Sequence, residues 1–165
     1  MNSSSTITYI SGRFLRAALG VALLAGMAAA WAGEPVVRGQ TLYVPVYSEV
    51  PFGDRSRTLT MTATVSVRNT DRKAPVTVKR VDYYSASGVL VRTCLARPQV
   101  LKPMASADYI VIESDRTGGI SASFLIEWES ETPVSTPLVE SVMVHASLNQ
   151  GVAFASPARV LEERR

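Results

Sequence analysis

Between Arg57 and Asp71 the chain reads RTLTMTATVSVRNTD, and apolar and polar side chains alternate through it without a break. Leu59, Met61, Ala63, Val65 and Val67 fall on one parity; Thr60, Thr62, Thr64, Ser66 and Arg68 fall on the other. Successive side chains of a strand point to opposite faces, so the stretch predicts a central strand with one apolar and one polar face. It stops at Asn69-Thr70-Asp71, whose side chains favour turns. The period of two recurs downstream. Val76–Tyr84 (VTVKRVDYY) predicts the next strand, with Val76, Val78, Arg80, Asp82 and Tyr84 on one face and Thr77, Lys79, Val81 and Tyr83 on the other. Ser85-Ala86-Ser87-Gly88 predicts a tight turn, since Gly88 accepts positive φ, leading to a hairpin partner over Val89–Leu95.

Ala107–Glu113 (ADYIVIE) is apolar on both parities in its middle and predicts a strand buried on both faces. Ile120–Glu129 alternates again, with Ile120, Ala122, Phe124, Ile126 and Trp128 inward; Leu125 interrupts its polar face. Leu138–Ser147 and Val152–Ala155 complete the series. Upstream, Thr41–Tyr47 (TLYVPVY) is aromatic and β-branched, but Pro45 lacks a ladder donor, which predicts a sheet edge. Ser48–Ser56, Pro98–Pro103, Ser114–Gly119 and Glu131–Pro137 read as loops, with Val100 and Leu101 placed to plug one end of the core. Ser156–Arg165 reads as a tail with room for a helical turn. About eight strands, closely spaced turn signals and no amphipathic helix of useful length predict one antiparallel β-sandwich, with a small closed barrel as the alternative.

The N-terminus has a different composition. Arg13 and Arg16 precede an uncharged, Ala- and Leu-rich run from Ala17 to Ala32 that ends in Ala30-Trp31-Ala32. This is the layout of a secretory signal peptide with a small-x-small cleavage site. The run is shorter than the roughly 20 apolar residues of a spanning helix. An uncleaved anchor is the alternative, and a lipoprotein anchor lacks its acceptor because Met27 stands where the cysteine would be. The predicted organisation is a signal peptide over 1–32, a mobile lead-in over 33–40, the sandwich over 41–160 and a tail over 161–165. The predicted address is the bacterial periplasm, with the extracellular medium second, and no stable membrane span remains after cleavage.

Charge changes the picture little. Of seventeen basic residues the leader takes two, leaving fifteen against fourteen acidic ones, a net charge of +1. The basic residues are scattered, and phosphate backbones need a clustered patch, so nucleic acid is not an expected partner. Cys94 is the only cysteine, which excludes an intramolecular disulfide and suits a core that is large enough alone.

Four segments carry a resemblance: YVPVYS (43–48), SVRNTD (66–71), VDYYSASG (81–88) and FLIEW (124–128). A strand ending in Asn-Thr, a strand ending in an aromatic pair, a Gly turn and the Leu-x-Pro of Leu101-Lys102-Pro103 resemble the immunoglobulin-like domains of exported bacterial proteins. More closely, the four segments resemble an uncharacterised family known as domain of unknown function 3124, over roughly Gly39 to Arg159. The resemblance implies an immunoglobulin-like sandwich and export. It brings no catalytic residue.

Candidate chemistry is sparse. His145 is the only histidine, and no G-x-S-x-G motif accompanies it. One Cys and one His make a zinc site nearly impossible within one chain. Met143 and His145, two apart on one strand face, are the residues a copper(I) site would use. Asp115 and Glu113 would serve calcium beside Glu127 or Glu129 only if their strands paired. Glu127, Glu129 and Glu131 share a face but face no cleft. Tyr83 and Tyr84 are consecutive, so one must point out of the sheet, where beside Asp82 and Arg80 it can contact a partner or sugar. Asp54, Arg55 and Arg72, in the loops at either end of the opening strand, are the other expected contacts. The sequence therefore predicts a non-catalytic exported binding module without a cofactor, whose partner is an envelope protein or oligosaccharide. Periplasmic copper handling is the alternative.

Overall fold

The computed structural model describes residues 36–54, 56–147 and 150–165. The leader expected over 1–32 and Arg55 lie outside the described residues. Those described form twelve strands and no helix: β1 (Val36–Val46), β2 (Glu49–Phe52), β3 (Arg57–Thr60), β4 (Thr62–Arg68), β5 (Val76–Tyr84), β6 (Leu90–Thr93), β7 (Gln99–Leu101), β8 (Ser106–Val111), β9 (Ala122–Ser135), β10 (Leu138–Ser147), β11 (Gln150–Pro157) and β12 (Arg159–Arg164). They make a six-stranded antiparallel sheet in the order β12-β1-β9-β5-β6, with β7 also on β5, and a four-stranded one in the order β11-β10-β4-β8. The ribbon β2–β3 stands apart. Between the sheets lies one core that includes Val44, Phe124, Ile126 and Trp128 from one side and Met61, Ala63, Val65, Val67 and Met143 from the other. Each such large side chain contributes ~1.5–3 kcal/mol by leaving water. The architecture is a β-sandwich.

The opening stretch Arg57–Asp71 divides at Met61, whose amide donates to the carbonyl of Ser48 at 2.8 Å. Its first part pairs with β2 in the ribbon, and only its second part is an interior strand. The expected loop Ser48–Ser56 is thus mostly a hairpin that turns at Gly53, φ 61°. The central strand of the larger sheet is β9, which pairs with β1 on one side and β5 on the other. It runs through Pro133 to Ser135, across the expected Glu131–Pro137 loop. Its register on β1 jumps from Glu129 to Val134, so residues 130–133 carry the chain out of the ladder.

Four other expectations need correction. Thr41–Tyr47 is not an edge: β1 is interior, between β9 and β12, and starts at Val36 inside the expected lead-in. Pro45 is tolerated because β12 pairs only with Gly39–Tyr43 and leaves it without a neighbour on that side. The expected tail is β12, whose partner lies far away in sequence. Ala107–Glu113 is not buried on both faces; β8 is an edge strand with Ile110 55% exposed, and Ile112, just past its end, is 59% exposed. Of the residues placed to plug the core, Leu101 does so and Val100 is exposed.

Asn69 anchors the far end of β4. Buried, it donates from Nδ2 towards the carbonyls of Ala74, Leu101 and Lys102 at 3.0–3.1 Å, and its Oδ1 accepts from the Asp71 amide at 3.0 Å. These contacts tie together the two connections that close this end of the sandwich.

Candidate binding face on the six-stranded sheet

Outward-facing residues of β1, β9 and β5 stand in register in three rows: Thr41, Glu127 and Arg80; Tyr43, Leu125 and Asp82; Pro45, Ser123 and Tyr84. A bulge sets this arrangement. On β5, Val78 opposes Trp128 while Arg80 opposes Glu127, so Lys79 is an extra residue and parity changes across it. Val76 and Val78 before the bulge share the inner face with Val81 and Tyr83 after it, and all four are buried. Arg80, Asp82 and Tyr84 turn outward.

Tyr43, Tyr84, Gly88, Ser123, Phe124 and Leu125 line an open hollow of about 240 Å³. Tyr43 is 39% exposed and Tyr84 half-buried. Small Ser123 lies in the central strand between them. Gly88, at φ 77°, shapes the turn at the rim, as expected from the sequence. Beside the hollow, Arg80 bonds Asp82, reaches Glu127 at 3.3 Å, and donates to the Tyr84 hydroxyl at 3.3 Å. The hydrogen bond to Asp82 is the main reason that the Arg80 guanidinium is held above its ordinary pKa. Asp82 is only 2% exposed, yet its Oδ1 has no hydrogen-bond partner among the described residues. One guanidinium between two carboxylates leaves this group with a net negative charge.

Tyr83, expected as a contact, is fully buried. Its ring lies 5.0 Å from that of Phe124, and the Arg92 guanidinium sits 4.7 Å from its centroid. Burial pushes its phenol pKa up. The hydroxyl has no side-chain partner among the described residues and lies so close under the Gly118 backbone, whose amide holds that rise back, that a Cβ there would be 2.0 Å away. Arg92 also pairs with Asp115. Burial alone would raise the Asp115 carboxyl, but hydrogen bonds from Thr117 and Arg92 outweigh it and hold it below its usual value. Cys94 is half-buried here, and burial pushes its thiol up.

The remaining expected residues do not converge. Met143 is enclosed in the core, while Nδ1 of His145 lies 2.7 Å from the Thr60 carbonyl oxygen and so carries its proton towards it. Among the described residues no group of three or more His, Cys, Asp or Glu is placed to hold a metal. The calcium arrangement fails its condition, since β8 pairs with β4 and β9 with β1 and β5. Glu127 and Glu129 are instead paired with Arg80 and Lys79. Asp54 is exposed at the β2–β3 turn, and Arg72 is exposed at the opposite end of the Arg57–Asp71 stretch. Tyr43 and Leu125 are members of the face that sequence reasoning missed. Their signal was there: both are large apolar side chains on the parity that faces away from the core.

The chain is thus an all-β sandwich with a shallow aromatic hollow on the open face of its six-stranded sheet. The family model described as "Protein of unknown function (DUF3124)" matches residues 39–161, and the chain belongs to that family. No curated protein matches the chain. Among solved structures, the crystal structure of Thermotoga maritima 1070 is similar over 74% of this chain and 93% of that one, with 12% identity and a TM-score of 0.44.

Proposed function

We propose that the chain is an exported, non-catalytic binding module of the bacterial cell envelope, working through the outer face of its six-stranded sheet. The observation that carries this reading is the hollow between Tyr43 and Tyr84, bordered by the Arg80–Asp82–Glu127 group. Tyrosines beside a group of paired ions on an open face suit contact better than turnover, for they bring no nucleophile and base together. Export rests on the leader, whose basic start, apolar run and Ala30-Trp31-Ala32 ending suit cleavage and a periplasmic address. An immunoglobulin-like layout belongs to the same proposal; two antiparallel sheets closed on one core support it. Copper handling has less support, because Met143 is shut in the core and His145 is engaged with Thr60.

Two measurements test the reading. Alkaline phosphatase fused after residue 40 is expected to be active in a bacterial host, with the released protein starting at Gly33; an inactive fusion would overturn export. A photo-cross-linking amino acid in place of Tyr43 is expected to capture a cell-envelope component that the same group in place of Ile110 does not. Identical capture profiles, or none, overturn the binding face.

A further inference from the structure

We infer that the free edge of β8 pairs with β8 of a second copy of this chain, antiparallel across a twofold axis at Ile110. The inference does not depend on the binding reading above. β8 pairs with β4 and, among the described residues, has no strand on its other side. The direction of its backbone groups follows from one bond. The Asn69 amide donates to the Ala105 carbonyl at 2.9 Å, one step beyond the Arg68–Ser106 pair that ends the ladder. Bonded and non-bonded pairs alternate along an antiparallel ladder, so Ala107, Tyr109 and Val111 turn their N–H and C=O groups towards β4. Ser106, Asp108 and Ile110 turn theirs to the open side. The Ile110 side chain points away from the core, and it is exposed together with Ile112.

The other edges of the two sheets are protected. β12 carries Arg159, Glu162, Glu163 and Arg164; β6 and β7 are four and three residues long; β11 contains Gly151 and ends in Pro157. Charge, shortness, glycine and proline each discourage pairing. β8 has only Asp108, whose carboxylate already accepts from the Ser66 hydroxyl at 2.5 Å. A second copy is selected because this edge complements itself. An axis at Ile110 sets that residue against its own copy and Asp108 against Ile112 of the second copy. The open N–H and C=O groups of Ile110 then satisfy one another, and those of Asp108 meet the Ile112 backbone. The Ile112 carbonyl also accepts from the Asp115 amide at 2.9 Å and keeps a second lone pair for this. Charge fixes the register. With the axis at Ile110 the two Asp108 side chains stand about 13 Å apart, beyond the screening length of about 8 Å at physiological salt. With the axis at Asp108 they would face each other directly, which is unfavourable.

About five residues a side is far less than the roughly 20–30 of a standard interface, so the pair is weak, with a Kd of about 0.1–1 mM. β8 belongs to the four-stranded sheet, so pairing leaves both six-stranded faces open and presents the candidate face twice. Sedimentation of the intact chain is expected to show a monomer at roughly 10 μM and a growing dimer fraction up to roughly 1 mM. Ile110→Lys, which sets two cations on the axis, is expected to weaken association at least roughly tenfold. Val144→Lys, exposed on the same sheet but two strands away, should match the unmodified chain, which separates edge pairing from stacking of faces. A second measurement does not depend on affinity. In a Cys94→Ala chain, Ile110→Cys is expected to form a disulfide dimer in air, since opposed bonded residues have Cα atoms about 5.5 Å apart, inside the roughly 4.4–6.8 Å that a disulfide spans. Val144→Cys, more than about 20 Å from its copy in this arrangement, should not. The inference is overturned by a chain that stays monomeric at the highest concentration, by an Ile110→Lys chain that associates as before, or by Ile110→Cys cross-linking no more than Val144→Cys. It is equally overturned if a photo-cross-linker at position 110 captures a different envelope protein and no second copy.

Discussion

Tyr83 and Tyr84 are chemically identical neighbours with opposite roles, and one extra residue at Lys79 decides which is buried. The buried one makes a sharp prediction. Among the described residues its hydroxyl has no side-chain partner and meets only the Gly118 backbone, so Tyr83→Phe is expected to change stability by less than about 1 kcal/mol while the ring keeps Phe124 and Arg92. Gly118→Ala is expected to lose ~1–3 kcal/mol, because its methyl group meets that hydroxyl at 2.0 Å and the Ala122 side chain at 2.6 Å. Tyr83→Phe in the same chain should recover part of the loss, a coupling readable from urea midpoints; strict additivity would show that the hydroxyl is not the obstacle. Asp71 predicts a pH effect. Backbone amides of Ala74, Lys73 and Ser135 hold its carboxyl below the ordinary aspartate range. A folded-state pKa below the unfolded one means that its contribution is present above the unfolded value and lost as pH falls through the folded one. Stability should therefore drop in acid below about pH 4, and Asp71→Asn should flatten that part of the profile. Parallel profiles for the two chains would exclude the role.

At the scale of elements, β12 is the piece whose importance its sequence conceals. RVLEER reads as a charged tail, yet it pairs with Gly39–Tyr43 and makes β1 an interior strand. Its charges suit the work, since charged side chains on an edge strand discourage further pairing. Deleting residues 159–165 would bare the amides and carbonyls of β1 beside Leu42 and Tyr43. The expected outcome is a lower Tm and concentration-dependent association in sedimentation velocity. A shortened chain that stays monomeric and equally stable would show that β12 is dispensable. The bulge in β5 works by the same geometry: without the extra residue, Arg80 or Val81 would face the wrong side of the sheet.

Across the whole molecule, one core joins two sheets, and the ladders that build them link distant parts of the chain, such as Gly39 with Arg164. A single core predicts a single cooperative transition: far-UV circular dichroism and tyrosine fluorescence should report the same urea midpoint. Separated midpoints would mean that the sheets unfold independently. Non-local pairing also predicts slow folding, in the millisecond-to-second range usual for β-sandwiches. The candidate face depends on the same long-range order, because its three rows come from strands that begin at Val36, Val76 and Ala122.

The sequence by itself determined the all-β class, the antiparallel sandwich, the family, and the spans of β5 and β10, since the period of two and the turn residues are local signals. Trp128 and the row Met61, Ala63, Val65 and Val67 were legible as core for the same reason. Only the tertiary structure decided which strands are interior. Pro45 suggested an edge and the ADYIVIE run a doubly buried strand, but neighbours across the sheet, not local composition, set both. It also decided the candidate face. Tyr43, Leu125 and Tyr84 meet because a one-residue bulge and a β1–β9–β5 pairing place them together, and such register is fixed by contacts between strands far apart in the chain.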